Sequence, residues 1–483
     1  MEQICFEIEN LEVTFLDKEI VKIDRLAVHQ FDRIGIVGKN GAGKSTLLHL
    51  LAGKIYPTSG VVKSYVEPGY FEQMEVPLIE ADEALLSKLE VPRDTEQLSG
   101  GEQTRRKLAQ LFTHYYEALL IDEPTTHLDQ SGISFLIEEL RYYYGALIII
   151  SHDRTVLDEL VTTIWEVDGG KVRVYSGNYS DYMKQKKVQI EQQHQAHEQY
   201  IKEKTRLENA AKEKMKKAEK IAQAGSLSKK EANAKPNKMF MTKSKGTSQK
   251  AVQRAAKAIE QRMNKLQEIE DVQEERQIIF RQSQPLALHN KFPIMADRIT
   301  LRVKNKVLLE EVSFQLPLGK NIAITGNNGS GKSTLLQYIV NHGDGITISP
   351  KAKIGFFQQM SYRFVMDENV LQFLKNRSEY DEGFLRSVLH AMQFSGTDLR
   401  KSVMSLSGGE AIRLQLCQLF LGEYNILVLD EPTNFLDVHT INALERFISA
   451  YKGTILFVSH DQTFINQVAD VNYHIIGKKL KLM

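Results

Sequence analysis

Cysteine is nearly missing from this chain. Cys5 and Cys417 are the whole complement of 483 residues. Two thiols that far apart build neither a disulfide framework nor a zinc cluster, and they point to reduced thiols in a cytoplasmic protein. Long apolar runs are missing too: none approaches the ~18 residues of a membrane helix. The opening Met1-Glu2-Gln3-Ile4-Cys5 has no basic region and no apolar stretch behind it, so no secretory signal is expected. No group of residues shows metal-ligand spacing. Net charge is almost absent, at +1. The 42% hydrophobic and 25% charged fractions are those of ordinary soluble globular chains, and the length predicts several domains.

What is present is one phosphate-gripping loop written twice. Gly-Lys-Asn-Gly-Ala-Gly-Lys-Ser-Thr runs from Gly38 to Thr46, and Gly-Asn-Asn-Gly-Ser-Gly-Lys-Ser-Thr from Gly326 to Thr334. Both fit G-x-x-x-x-G-K-[ST]. Each follows a short apolar run (Ile34 to Val37; Ile322 to Ile324) that reads as a buried strand. Each opens a helix, at Leu47-Leu48 and at Leu335-Leu336. A turn built from Gly38, Asn40, Gly41 and Gly43, or from Gly326, Asn328, Gly329 and Gly331, lets backbone N–H groups converge on a phosphate at a helix N-terminus. Lys44 and Lys332 would reach the β- and γ-phosphates, and Ser45 and Ser333 would hold Mg2+.

The repetition reaches far beyond these loops. Leu-Ser-Gly-Gly-Glu occurs at Leu98 to Glu102 and at Leu406 to Glu410, Asp-Glu-Pro-Thr at Asp122 and at Asp430, and Ser-His-Asp at Ser151 and at Ser459. The two lysines are 288 residues apart, and the three later motifs 308 apart. Two whole domains are therefore duplicated, with one local length change of 20 residues between the loop and the later motifs. Ala118 to Ile121 and Ile426 to Leu429 read as central parallel strands buried on both faces. Asp122 and Asp430, at their ends, are placed for Mg2+ coordination. Glu123 and Glu431 would align or deprotonate the attacking water.

This order of motifs resembles that of the ATP-binding-cassette ATPases, over both halves. The resemblance implies a head-to-tail sandwich of two ATPs, one between Lys44 and Ser407, the other between Lys332 and Ser99. The signature glycines Gly100, Gly101, Gly408 and Gly409 would face the γ-phosphate of the opposite domain, as would His152 and His460 in their own. Gln73 and Gln359 match the family's Q-loop, and Leu128-Asp129 and Leu436-Asp437 its D-loop. Phe15 would stack on adenine in the first half; the second half offers Arg302 or Val303 in that neighbourhood, so a ring is not expected there.

The segment between the cassettes is helical and basic. From Met183 to about Ala222 it is rich in Glu, Gln, Lys and Ala, without Gly or Pro, which predicts a long helix. Breakers then mark a loop near 224–248, and helix formers return from Gln249 to about Gln277. A projecting antiparallel hairpin is expected. Between Lys184 and Lys257 stand 20 Lys and Arg against 7 Asp and Glu, a net +13, on a chain whose remainder is acidic. That is the footprint of a polyanion binder; with few aromatics to stack on bases, backbone contact with folded RNA or DNA is expected. The loop carries Met239-Phe240-Met241 between Lys238 and Lys243, an apolar cluster of the kind that marks a contact site.

Two cassettes joined by such a linker resemble the ABC-F family. The expected fold is α/β: two tandem P-loop ATPase domains (1–180 and 291–483) and a helical hairpin linker (181–290). Tyr175 to Tyr182 looks like that family's entry to its linker. Gln73 to Ser99 spans 26 residues and Gln359 to Ser407 spans 48, so the first cassette has no room for the arm of housekeeping members. That, and the run Phe280 to Ser283 through Leu288 to Asn290, resembles the Msr-type antibiotic-resistance branch. The chain stops soon after His460, so no appended C-terminal extension is expected. The resemblance implies an ATP- and Mg2+-dependent ATPase that enters the tRNA exit site of the 70S ribosome. Its linker loop would reach past P-site tRNA along 23S rRNA, with Met239 nearest the drug. A macrolide, lincosamide, streptogramin or pleuromutilin is then released. It implies a cytoplasmic monomer with paired cassettes, no membrane and no transmembrane subunit. A housekeeping ABC-F factor without drug specificity is the alternative. A transporter's ATPase pair has no use for the basic hairpin, and a DNA-repair cassette ATPase would bring zinc-ligand cysteines.

Overall fold

The computed structural model describes residues 3–15, 18–72, 80–91, 98, 100–126, 128–227, 288–304, 306–358, 364 and 366–483, with 254–255, 257–259, 261–263, 266, 278 and 280 between them. Gln73, Ser99, Gln359 and the loop residues Lys238, Met239, Phe240, Met241 and Lys243 lie outside the described residues. The chain forms two compact units, one joining Met1–Tyr182 with Arg276–Met483, the other Met183–Glu275.

The first unit is two copies of one α/β design. In the first copy Pro68–Phe71, Ala118–Asp122, Ala146–Ile150, Arg33–Gly38 and Thr163–Asp168 run parallel in that order. Lys171–Ser176 closes antiparallel onto the last of them. The second copy repeats this with Ile354–Phe357, Ile426–Asp430, Thr454–Val458, Asn321–Gly326, Val471–Ile476 and Lys479–Leu482. Even the register repeats: Ile34 pairs with Ile148, and Ile322 with Leu456. Ala118–Asp122, Ala146–Ile150, Ile426–Asp430 and Thr454–Val458 are buried at every position, because helices cover both faces of the sheet. An antiparallel layer flanks each core, built from Ile4–Phe15, Lys18–His29 and Ser59–Ser64, or from Ile294–Val303, Lys306–Leu316 and Ile346–Ile348.

The 20-residue length change has a physical location. Ahead of the helix Gly100–Phe112 the described residues hold one short helix, Glu83–Lys88. Ahead of its counterpart Gly408–Leu421 stand Val370–Lys375, Glu382–Ala391 and two 3-10 turns. Phe280 is buried against Phe384, Phe420 and Phe447 of this second cassette, with ring centroids 5.2–6.0 Å away.

The linker helix runs from Tyr179 to Leu227, 49 residues. It starts four residues before the expected Met183 and continues through Ala224-Gly225-Ser226, where the sequence predicts a loop. A single glycine costs a helix only about 1 kcal/mol, which long flanking runs of good formers absorb. Its first turn is rooted in the first cassette. The buried carboxylate of Glu166 accepts hydrogen bonds from the Tyr182 hydroxyl at 2.8 Å and the Tyr175 hydroxyl at 3.2 Å.

Candidate functional site

The parallel strands deliver both halves of the chemistry to their C-terminal edges, where open α/β sheets bind ligands. Arg33–Gly38 feeds the glycine turn into the helix Lys44–Leu51, and Asn321–Gly326 feeds the second turn into Lys332–Val340. Gly43 and Gly331 cap these helices at φ of 102° and 101°. A β-carbon at Gly43 would also lie 2.8 Å from Val21. No other residue tolerates both demands. Lys44 and Lys332 are buried, and each folds back over its own loop. Lys44 Nζ donates to the Gly38 and Lys39 carbonyls at 2.9 and 3.2 Å; Lys332 Nζ donates to Gly326 and Asn327 at 2.8 and 3.2 Å. Burial lowers the pKa of both ammonium groups, against the pull of nearby carboxylates.

Asp122 and Asp430 stand beside the loop serines. Ser333 Oγ donates to Asp430 at 2.8 Å, and Ser45 makes the matching bond to Asp122. Burial raises both carboxyl groups above their usual range. Glu123 and Glu431, one residue on, both adopt φ of 50°. Left-handed backbone is uncommon for a non-glycine residue and recurs at functional sites, where the surroundings enforce it. Here the enforcement is visible: the Glu123 N–H donates to the Ile150 carbonyl and the Glu431 N–H to that of Val458. Each carboxylate lies 3.2 Å from the Nε2 of its own cassette's histidine, His152 or His460. Burial pushes Glu123 up to about 8 and Glu431 up as well, and drives both imidazoles down, His460 to about 4. Glu123 Oε1 and Glu431 Oε2 are buried without a hydrogen-bond partner among the described residues. Hard oxygens paired as Ser–Asp, with a buried glutamate alongside, suit Mg2+ completed by phosphate and water.

The two cassettes meet across these sites. The Asn40 N–H of the first loop donates to Asp437 of the second cassette at 3.0 Å. The Asn328 N–H of the second loop donates to Asp129 of the first at 3.1 Å. The Asn40 side chain also reaches the Phe435 carbonyl at 3.2 Å. A cavity of about 520 Å3 is lined by Phe15, Asn40, Lys44, Glu123 and His152 from one side and by Gly409 and Phe435 from the other. Ser407 caps the helix Gly408–Leu421 in a reciprocal box with Glu410. Gly100 and Gly101 open the helix Gly100–Phe112, and Gly408 and Gly409 its counterpart. In the second copy the place of Phe15 falls to Val303, which ends the hairpin opposite Lys306. The neighbouring cavity of about 300 Å3 is lined by Lys306, Leu308, Asn327 and His474, with no Phe, Tyr or Trp among the described residues that line it.

Sequence similarity assigns this architecture. The chain is 41% identical over 487 aligned residues to the erythromycin resistance ATP-binding protein MsrA of Staphylococcus epidermidis, covering 99% of both chains. The chain belongs to the ABC-F family. The family model described as ABC transporter matches residues 21–76 and 309–434, and its extension model residues 165–230. The ribosome protection protein VmlR of Bacillus subtilis is 32% identical, with 95% of this chain and 85% of VmlR aligned. Among solved structures an RNase-L inhibitor superposes with a TM-score of 0.65 over 98% of this chain and 90% of its own, at 18% identity, a likeness of fold alone. As an ABC-F protein the chain binds ATP and is an ATPase. No helix among the described residues is long and apolar enough to cross a membrane.

The pattern of motifs missed several residues that the geometry brings in. Arg154, Thr155 and Thr463 sit at the meeting of the cassettes, and Glu166 at the root of the linker helix. Arg154 had no signal to betray it, because the repeat places Gln462 at the matching position.

Proposed function

We propose that this protein is a ribosomal protection ATPase. It binds the 70S ribosome near the tRNA exit site and promotes the release of a macrolide-type antibiotic, acting as a cytoplasmic monomer. The observation that carries this reading is the end-to-end 41% identity to an erythromycin resistance protein. The division 1–180, 181–290 and 291–483 then assigns two cassettes and a linker. The linker, with Lys238, Met239, Phe240, Met241 and Lys243 at its loop, would contact 23S rRNA beside P-site tRNA.

The engine would be the pair of cross-cassette sites. In the first, Gly38, Asn40, Gly41, Gly43, Lys44 and Thr46 hold the phosphates, with Ser407, Gly408 and Gly409 closing from the other cassette. In the second, Gly326, Asn328, Gly329, Gly331, Lys332 and Thr334 do so, with Ser99, Gly100 and Gly101 opposite. Ser45 with Asp122, and Ser333 with Asp430, would hold Mg2+, which supplies charge neutralisation at the phosphate oxygens. Gln73 and Gln359 would sense it. Glu123 and Glu431 orient the attacking water and take its proton; a carboxylate whose pKa is raised by burial is the stronger base. His152 and His460 each hold their glutamate and face the γ-phosphate.

The test is a trap. In the E123Q/E431Q variant ATP binds but turnover stops, and the protein is expected to co-sediment with 70S ribosomes in ATP and not in ADP. In a susceptible host the wild type is expected to raise the erythromycin minimum inhibitory concentration and the variant not. No ribosome association in the trapped state defeats the reading.

A further inference from the structure

Arg154 stands two residues beyond His152, at the first position of the helix Arg154–Leu160. A cation there opposes the helix dipole, so its own helix gives no reason for it. The reason lies across the interface. Its Nη1 donates to Glu445 at 2.9 Å and its Nη2 to the Asn442 side-chain carbonyl at 2.9 Å. The Arg154 and Glu445 side chains are 11% and 12% exposed, so water does not screen the pair as it would at a surface.

Both partners belong to the helix Val438–Ala450 of the second cassette. The residue capping that helix is Asp437, which accepts the Asn40 N–H of the first loop. One helix of the second cassette therefore holds the first cassette at two places. One is the phosphate loop, and the other is the chain immediately behind His152. Both border the same cavity, which Asn40, Lys44 and His152 line.

The second site has the first of these grips and not the second. Asp129 accepts the Asn328 N–H at 3.1 Å. The residue 308 positions after Arg154 is Gln462, and those 308 positions before Asn442 and Glu445 are Ser134 and Ile137. An isoleucine offers nothing to a cation, and the Gln462 amide donates within its own helix, to Asn466 at 3.1 Å. The duplication is faithful in the motifs and broken here.

We propose that Arg154 is a one-sided positioning residue. By tying the segment behind His152 to Asn442 and Glu445 of the opposite cassette, it makes the first ATP site, framed by Lys44 and Gly409, the second of the two to open. This rests on the reading of two composite ATP sites. Release of product would then be ordered, with the second site discharging first.

The experiment measures nucleotide release from the full-length E123Q/E431Q protein loaded with mant-ATP and Mg2+ and chased with excess unlabelled ATP. Two phases of equal amplitude are expected, and adding K44A removes the slow one. R154A is expected to speed the slow phase ~100-fold or more, the scale for breaking a buried pair by removing one partner, and to leave the fast phase within about twofold. E445Q does the same, Q462A changes neither phase, and the exchanged pair R154E/E445R restores slow release. Phase selectivity and rescue separate positioning from a general loss of stability. A slow phase that R154A and E445Q leave unchanged, or one that K332A rather than K44A removes, overturns the proposal. So does equal acceleration of both phases. A stoichiometry of one nucleotide per chain overturns the paired-site reading and this inference with it.

Discussion

The hydroxyls of Thr155 and Thr463 lie 3.3 Å apart, and the two residues are the same position of the two repeats, 308 apart in sequence. A residue that touches its own copy marks the axis relating the copies. The cassettes therefore meet as a pseudo-symmetric pair within one chain, the intramolecular form of a self-complementary twofold interface. The caps of the two helices that meet there are doubled, charge included.

The doubled charge is an aspartate. Asp153 caps the helix Arg154–Leu160 and Asp461 the helix Gln462–Val468. Burial pushes the Asp153 carboxyl up to about 6, and Asp461 across the axis adds to the shift. A carboxyl raised in the folded state binds its proton there before the unfolded chain does, whose value is about 4. Its contribution to stability is complete below about pH 4 and is lost as pH rises through about 6. Asn caps as well as Asp and carries no charge. D153N is expected to raise the melting temperature at pH 7.5 and to flatten its pH dependence between 4 and 6. Thermal melts at stepped pH check this; a steeper profile counts against it.

The root of the linker helix rests on Glu166, which pairs with Val37, one residue before the glycine turn. Y182F removes the 2.8 Å donor to that buried carboxylate. Hydrogen bonds to charged groups contribute about 1.5–3 kcal/mol, and the melting temperature is expected to fall by a few degrees. Y175F, at the longer 3.2 Å contact, is expected to cost less. Calorimetry on the two variants orders them.

The exposed Phe15 ring lines the first ATP cavity, and Val303 holds its place in the second copy. Base stacking on an aromatic side chain is worth ~1–3 kcal/mol by alanine substitution. F15A is therefore expected to weaken mant-ATP at the first site roughly tenfold or more, and V303A to change the second little. V303F is expected to tighten it. Titrations in K44A and K332A backgrounds read each site alone.

How much of this was legible beforehand depended on locality. Gly43, Lys44, Asp122 and His152 were legible as motifs because each is fixed by a few neighbours on one strand–turn–helix segment. The buried runs Ala118 to Ile121 and Ile426 to Leu429 announced their strands for the same reason. The left-handed φ of Glu123 was not legible, since Ile150 enforces it from another strand. Nor was the Arg154–Glu445 pair, whose members stand 291 residues apart and do not recur in the other repeat. The start of the linker helix was misjudged by four residues, because the turn Tyr179–Tyr182 is held by burial of its rings rather than by helix propensity.

The basic linker yields the last expectation, and it needs no knowledge of the loop. Lys212, Lys216 and Lys217 are exposed on the helix Tyr179–Leu227, within the stretch that carries a net +13. A lysine that neutralises an RNA phosphate releases a counterion, and each such contact adds about 0.7–0.9 to the slope of log K against log salt. Ribosome binding by the E123Q/E431Q protein is therefore expected to fall steeply between about 50 and 200 mM salt. Changing the three lysines to glutamine is expected to flatten that slope by about 2–3 while the ATP affinity measured without ribosomes stays the same. Equal slopes for the two proteins would mean these lysines meet water rather than phosphate, and the linker's charge would need another partner.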